Sequence, residues 1–108
     1  MAGIITGTTW NCYDASTMTP REIYGRTLAE MGKTDKRIVG LTADLAKTTS
    51  VVHFADAFPD RFFNVGIAEQ NMMGIAAGLA KTGLIPFAST MAVFASFRSG
   101  EQVRTDIA

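Results

Sequence analysis

The chain has 108 residues, 47% of them hydrophobic, which is the size and composition of one globular domain. Its ten basic and ten acidic residues give a formal net charge of zero, and no basic run is dense enough to follow a nucleic-acid backbone. Cys12 is the single cysteine, so no intramolecular disulfide can form, and no Cys/His spacing typical of a metal site occurs. We therefore expect no nucleic-acid partner, no metal ligands and a reducing, cytoplasmic location.

We expect no targeting signal in the N-terminal residues. No apolar run reaches the roughly 20 residues that span a bilayer, and the first residues lack the basic flank of a signal peptide. We expect no membrane partner.

Residues 1–18 show neither helical nor strand periodicity and are rich in residues that hydrogen-bond their own backbone. They are predicted to form an N-terminal arm or a segment derived from cloning, with Trp10 and Tyr13 as its anchors to a surface.

The first predicted helix is "TPREIYGRTLAEMGK", and its end signals are clear. Thr19 is the predicted N-cap, Pro20 suits the first helical position and Glu22 completes the spacing of a capping box. Gly32 is the predicted stop. The next segment, "RIVGLTADL", is almost continuously apolar, which predicts a strand covered on both faces, as in parallel sheets.

Helices and strands alternate through the rest of the chain. "TTSVVHFADAFPD" is predicted to be a helix capped by Thr49 or Ser50, and "RFFNVG" a second buried strand. "IAEQNMMGIAAGLAKTG" is predicted to be a long helix closed by Gly83, and "LIPFAST" a third strand. "MAVFASFRSGEQVRTDIA" is predicted to be helical, with Gly100 as its weak point. This alternation predicts an α/β domain with a parallel sheet, flanking helices and right-handed crossovers.

Ligands of such sheets bind beyond the carboxyl ends of the strands, where loops open and helix N-termini present unpaired amides. The residues at these three ends are Asp44 and Leu45, 66–69, and 89–91. We expect all three ends to face one crevice. Glu69 lies there at the start of a helix, where a carboxylate is also stabilised by the helix dipole by about 0.3 to 1 kcal/mol. Position alone does not decide between a functional and a structural role for Glu69.

The segment "DRFFNVGIAEQNMMGIAAGLAKTGLIPFASTMAVFASFRSGEQVR" closely resembles the pyrimidine-binding domain of transketolases, in particular the C-terminal subunit of split transketolases. "LTADLAKTT" resembles the family's loop after its first strand. The resemblance covers residues 19–108, which we interpret as a partial transketolase-like pyrimidine-binding domain. "GIAEQN" alone is also similar to other thiamine diphosphate enzymes, so a deoxyxylulose-phosphate synthase-like domain, which would decarboxylate pyruvate first, is the alternative within enzymes.

The resemblance implies thiamine diphosphate as cofactor and gives Glu69 a catalytic role. By its place in "GIAEQ", Glu69 matches the family glutamate that hydrogen-bonds N1′ of the cofactor's pyrimidine. That bond promotes the 4′-imino tautomer, the base that removes the C2 proton of the thiazolium ring. An apolar surrounding would strengthen this charge-assisted hydrogen bond.

Further residues match family positions around the cofactor. Asp44 and Leu45 match positions near the positively charged thiazolium. Phe94 matches the aromatic that stacks on the pyrimidine, and Phe97 a second wall of the pocket, for which a core role is the other interpretation. Met91 stands where many relatives carry another aromatic, and its polarizable side chain would fill that place.

Two residues match positions that hold the substrate phosphate in transketolases. Arg21 suits bidentate phosphate binding, and Thr48 replaces a serine while keeping a hydroxyl donor. Each also has a structural interpretation: Arg21 as a solvated residue of a first helical turn, and Thr48 as a helix cap. His53, the only histidine, is predicted to be a surface or packing residue.

The chain also departs from the family pattern. It contains no diphosphate signature of the "GDG" type, so we expect Mg²⁺ and the diphosphate to be held by a domain or subunit absent from this chain. In the family the cofactor lies at a subunit interface, which implies a homo- or hetero-oligomer. Small residues four apart in the long helix, Gly74 and Gly78, would let another element approach closely. Ala108 falls inside the last predicted helix, which indicates a C-terminally truncated domain, either a fragment or one part of a split enzyme.

The function predicted by the resemblance is ketol transfer between sugar phosphates. The intact enzyme would release an aldose from a ketose phosphate and pass the remaining two-carbon unit to another aldose phosphate. A third hypothesis, from a different class, is a non-catalytic truncated module that only dimerises or binds a partner.

Overall fold

The structure is a computed structural model that describes residues 18–108. Residues 1–17 of the predicted arm, which include Trp10 and Tyr13, therefore lie outside the described residues. The regular elements are α1 (Pro20–Thr34), β1 (Ile38–Thr42), α2 (Val52–Ala57), β2 (Phe62–Asn64), α3 (Glu69–Lys81), β3 (Ile85–Ser89) and the short α4 (Gly100–Gln102). A 3₁₀ turn precedes β2 at Pro59–Arg61. Two π-helical turns, Phe94–Arg98 and Val103–Ile107, flank α4.

The three strands form one parallel sheet in the order β2-β1-β3. All residues of the central strand β1 are buried, as its apolar sequence predicted. The α/β prediction with a parallel sheet and flanking helices is therefore confirmed. The second strand predicted in "RFFNVG" is present as β2, but the prediction that it is buried was wrong: β2 has only three residues and lies at the edge of the sheet, where Phe63 is 43% exposed.

Two hydrophobic clusters, one on each face of the sheet, form the core. One contains Val39, Leu41, Ala43, Met72 and Ala76, and so packs α3 against β1. The other contains Leu28, Ile38, Val51 and Phe54, and packs α1 and α2 against the opposite face. Side chains of β1 alternate between the faces, as expected for a strand with a side-chain period of two.

The start of α1 follows the sequence signals, but its end does not. The Thr19 hydroxyl accepts a hydrogen bond from the Glu22 amide at 3.4 Å, and Pro20 is the first helical residue. The helix continues through Gly32 to Thr34, so the predicted stop at Gly32 was wrong. A Cβ on Gly32 would lie only 2.7 Å from Cε2 of Phe58, so this glycine permits close packing rather than ending the helix.

The predicted cap of α2 was also wrong. The helix begins at Val52 without a side-chain cap, because the Thr49 hydroxyl donates instead to the carbonyl of Leu45 at 2.8 Å. Ser50 adopts a φ of 62°, which places it outside the extended region typical of a cap. The end of α3 does follow prediction: Gly83 has a φ of 94°, a left-handed conformation that suits glycine.

The last predicted helix, "MAVFASFRSGEQVRTDIA", is helical in the structure, but most of it is not α-helical. Its π-helical turns are of a kind that is frequent at functional sites. Among the helices of residues 18–108, none has the length and hydrophobicity of a membrane span.

Candidate functional site

The carboxyl ends of the three strands are tied together by side-chain hydrogen bonds. The Asn64 side-chain oxygen accepts from the Asp44 amide at 3.0 Å, and its Nδ2 donates to Asp44 Oδ1 at 3.2 Å. The Thr42 hydroxyl donates to the Ser89 carbonyl at 3.1 Å and accepts from the Leu45 amide at 3.2 Å. These bonds hold Asp44 at a φ of 61°, an uncommon conformation for a residue other than glycine.

Glu69 is the first residue of α3 and is 4% exposed. Its Oε1 lies 3.5 Å from Nη1 of Arg98, whose side chain is about half exposed. The same guanidinium lies over the ring of Phe94, with Cζ 4.0 Å from the ring centroid. A planar cation therefore contacts both the buried carboxylate and an aromatic face to which the family resemblance gives a role in cofactor binding.

Glu69 opens onto a cavity of about 500 Å³. Phe97 and Arg98 line this cavity from the π-helical turn Phe94–Arg98, and Gln70 and Asn71 line it from the first turn of α3. Phe97 is 85% exposed, so it is not a core residue in this chain. The cavity thus places one buried acid beside a half-exposed cation and an exposed aromatic ring.

A second cavity, of about 790 Å³, lies at the end of β3. Arg21, Thr48 and Met91 are among the residues that line it. Nη1 of Arg21 donates to the backbone carbonyl of Thr48 at 3.3 Å. Close approach of α1 to this loop requires a glycine, because a Cβ on Gly25 would overlap the carbonyl oxygen of Ser50.

The predicted site residues thus fall into separate groups. Arg21, Thr48 and Met91 share the larger cavity, whereas Glu69 and Phe97 share the smaller one. Asp44, Leu45 and Phe94 line neither cavity. The single crevice predicted from the strand ends is therefore two cavities in this chain.

Sequence reasoning missed Arg98 and Tyr24. Arg98 follows Phe94 by four residues, and this spacing is the signal that would have placed the two side chains on one helical face. A charged residue on a helix is usually solvated, so nothing about Arg98 alone distinguished it from other surface residues. Tyr24 lies in α1, and its hydroxyl is 2.6 Å from the hydroxyl of Ser89 in the larger cavity.

His53, predicted to be a surface or packing residue, has a side chain that is 34% exposed. Its Nε2 lies 2.8 Å from Oε1 of Glu22, which also accepts a hydrogen bond from Arg26. Glu22 therefore pairs with Arg26 of α1 and with His53 of α2, where the predicted capping box would have directed it to the backbone amide of Thr19. The hydrogen bond from Arg26 and the nearby His53 hold the pKa of Glu22 below its usual value.

Tyr24, which lines the larger cavity, makes a pH-dependent contribution to the unfolding free energy of the chain. Burial raises the pKa of the Tyr24 hydroxyl above its usual value of 10.0, and the hydrogen bond with Ser89 opposes part of that rise. The unfolded chain therefore loses this proton at a lower pH than the folded chain. The stabilisation by Tyr24 is complete below pH 10 and declines as the pH rises through the raised pKa.

We therefore expect Tyr24→Phe to make stability less sensitive to alkaline pH. Urea unfolding between about pH 9 and about 11 should show a shallower loss of unfolding free energy in Tyr24→Phe than in the wild type. Loss of the hydrogen bond with Ser89 lowers the unfolding free energy of the variant by the same amount at every pH. The slope of unfolding free energy against pH is therefore the quantity to compare. Parallel curves would contradict this account of Tyr24.

Comparison with known proteins shows which family the chain belongs to. The family model described as "Transketolase, pyrimidine binding domain" matches residues 16–108, and the chain is a member of this family. It is 53% identical over 88 residues to a "Putative transketolase C-terminal section" from Methanocaldococcus jannaschii, an alignment that covers 82% of this chain and 28% of the relative. The resemblance read from the sequence is therefore confirmed.

A solved structure and a second class of enzyme are also similar. A chain described as "Split gene transketolase, inactive beta4 tetramer" has a TM-score of 0.73 and 58% identity, covering 82% of this chain and 29% of that one. A 1-deoxy-D-xylulose-5-phosphate synthase from Caldanaerobacter subterraneus is 46% identical over 88 residues, covering 80% of this chain and 14% of the enzyme. The chain thus spans less than a third of the length of these relatives.

Within residues 18–108, no three His, Cys, Asp or Glu side chains are grouped as a metal ion would require.

Proposed function

We propose that this chain is the pyrimidine-binding part of a thiamine diphosphate-dependent transketolase and that Glu69 activates the cofactor for ketol transfer between sugar phosphates. The observation that carries the proposal is the buried carboxylate of Glu69 at the start of α3, beyond the carboxyl end of β2. Membership of the transketolase family supports the choice of cofactor.

The residues around Glu69 fit the aminopyrimidine half of thiamine diphosphate. Such a ring needs an aromatic face for stacking and a carboxylate at its edge that accepts a hydrogen bond. The guanidinium of Arg98, which is also flat and carries N–H donors at its edge, already contacts the Phe94 face and the Glu69 carboxylate. A flat group with N–H donors can thus reach both side chains at once.

Bound thiamine diphosphate would supply a nucleophilic carbon, C2 of its thiazolium ring, that carries the two-carbon unit. Glu69 would accept a hydrogen bond from the proton held at N1′ and so favour the imino form of the 4′-amino group. Burial of Glu69 keeps water away from this bond, which strengthens it. Phe94 would hold the ring at the angle the bond requires, and Phe97 would add an apolar wall to the same cavity. Met91, which lines the larger cavity, would add an apolar wall to the cofactor on that side.

Asp44 and Leu45 are proposed to lie near the thiazolium. The hydrogen bonds of Asp44 with Asn64 fix its position at the carboxyl edge of the sheet. A carboxylate held there would favour a positively charged ring over a neutral one.

Arg21 and Thr48 are proposed to bind the substrate phosphate in the larger cavity. Arg21 already points toward the Thr48 loop, where it donates to a backbone carbonyl at 3.3 Å. A phosphate would offer that guanidinium a stronger, charged acceptor. The metal and the diphosphate are assigned to a separate diphosphate-binding domain or subunit, so the working enzyme is proposed to be an oligomer.

A second candidate is a deoxyxylulose-phosphate synthase-like domain, favoured by the 46% identity to such an enzyme. The identities of 53% and 58% to transketolase sections favour the first candidate. Both candidates use Glu69 in the same way, so the substrate distinguishes them.

Reconstitution tests the proposed function. The chain is mixed with the diphosphate-binding subunit of a split transketolase, Mg²⁺ and thiamine diphosphate, and two activities are measured. We expect transfer between a ketose phosphate and an aldose phosphate, no CO₂ release from pyruvate, and no turnover by the chain alone, because the reactive geometry requires both halves of the site.

Three results would contradict the proposal. CO₂ release from pyruvate without ketol transfer would favour the synthase-like alternative. A stable complex without either activity would favour the non-catalytic module. Turnover by the chain alone would show that the second half-site is not needed.

A further inference from the structure

Arg98 contacts the two side chains that the proposed function assigns to the aminopyrimidine. Its guanidinium stacks on Phe94 at 4.0 Å and forms an ion pair with Glu69 at 3.5 Å. Phe94 and Arg98 are the first and last residues of one π-helical turn, and Glu69 is the first residue of α3. The contact therefore joins the C-terminal helical segment to the start of α3 at two residues, Arg98 and Glu69, that line the smaller cavity.

We propose that Arg98 is a displaceable plug, which covers the aminopyrimidine site in the cofactor-free chain and must swing out before the ring can bind. This inference rests on the proposed function, since it needs Glu69 and Phe94 to be the aminopyrimidine contacts. A planar cation on an aromatic face with its N–H groups toward a carboxylate imitates a bound aminopyrimidine. Both groups cannot occupy the same face of Phe94.

The contacts that Arg98 makes with Glu69 and Phe94 are weak enough to break when a ligand binds. A strong charge-assisted hydrogen bond between a guanidinium and a carboxylate measures about 2.7 to 2.9 Å, and the 3.5 Å separation to Glu69 is longer than that. The Arg98 side chain is 52% exposed, whereas the Glu69 side chain is 5% exposed. Arg98 can therefore move into solvent without leaving a buried charge of its own behind.

Displacement of Arg98 would expose the Glu69 carboxylate only when a ligand takes the place of the guanidinium. A buried carboxylate without a partner is costly, so the plug keeps Glu69 paired until the ring arrives. Displacement requires movement of the Arg98 side chain only, which is long, unbranched and has many rotamers, and requires no movement of the backbone.

The test measures binding of the free aminopyrimidine half of thiamine to the full chain by NMR titration. Arg98→Ala removes the competing cation and is expected to lower the dissociation constant roughly 3- to 30-fold, the combined worth of an exposed cation–π contact and a partly exposed ion pair. Arg98→Lys keeps the charge but not the planar stacking group, and should fall between the wild type and Arg98→Ala.

Arg104→Ala is the matched control. Arg104 lies in the same C-terminal segment, is largely exposed and pairs with Glu101 rather than Glu69, so its removal should leave the dissociation constant unchanged. Glu69→Gln combined with Arg98→Ala should lose the gain, because the negative charge of the uncovered acceptor is then gone. Unchanged amide spectra away from the cavity would show that each variant is folded.

The outcomes separate this inference from the function on which it rests. Equal affinity of the wild type and Arg98→Ala would overturn the plug while leaving Glu69 as the cofactor contact. Weaker binding by Arg98→Ala would also overturn it, because Arg98 would then assist the ring. Binding to none of the variants would overturn both the plug and the assignment of the aminopyrimidine to this cavity.

Discussion

Replacing Glu69 with glutamine is expected to lower turnover of the reconstituted enzyme by roughly 10²- to 10⁴-fold, the range for a positioned acid–base group. Glutamine keeps the size of the side chain and one hydrogen-bonding oxygen, but it has no negative charge to favour a proton at N1′. Steady-state ketol transfer measures the loss. Stability should change by only about 0.3 to 1 kcal/mol, the worth of a first-turn carboxylate in the helix dipole.

Glu101→Gln is the control for this substitution. Glu101 is exposed on the C-terminal helical segment and pairs with Arg104, so its loss should leave turnover unchanged. A lower melting temperature with normal turnover in Glu69→Gln would mean that Glu69 is a helix-start residue and nothing more. The two interpretations of Glu69 thus predict opposite patterns.

Phe54→Ala is expected to cost about 3 to 5 kcal/mol of unfolding free energy, as truncation of a fully buried phenylalanine does. Phe54 is 0% exposed and packs between α1 and β1, where the absent side chains of Gly32 and Gly40 leave room for its ring. Its ring centroid is 5.1 Å from that of Phe58. Because domains of this size have about 5 to 15 kcal/mol of stability, the variant should be close to unfolding.

Urea unfolding with Phe63→Ala as control tests this prediction. Phe63 lies on the edge strand β2 and is 43% exposed, so its truncation should cost clearly less. Equal losses in the two variants would contradict the placement of Phe54 in the core between α1 and β1.

Much of the fold follows from local signals. Pro20 and the Thr19 cap define the start of α1, and the apolar run of β1 identifies the buried central strand. The errors have tertiary causes. Gly32 was predicted to be a helix stop because a sequence does not show that Phe58 packs against it. The burial of β2 was overestimated because apolar content does not show that a strand lies at the edge of a sheet.

The site was predictable in part. Sequence position placed Glu69 at a strand end and at the start of a helix, and the structure adds that it is buried. The division into two cavities was not predictable, because it depends on how the Thr48 loop and the C-terminal segment pack. Arg98 was missed for the same reason: its contact with Glu69 joins residues 29 positions apart, and no local pattern reports such a pair.

The most direct test of the central claim is the rate at which the C2 proton of bound thiamine diphosphate exchanges with deuterium in the reconstituted enzyme. This rate reports cofactor activation by Glu69 without involving any substrate. The proposed function predicts that Glu69→Gln exchanges roughly 10²- to 10⁴-fold more slowly than the wild type while the cofactor stays bound. Exchange at the wild-type rate in Glu69→Gln would contradict the claim that Glu69 activates the cofactor.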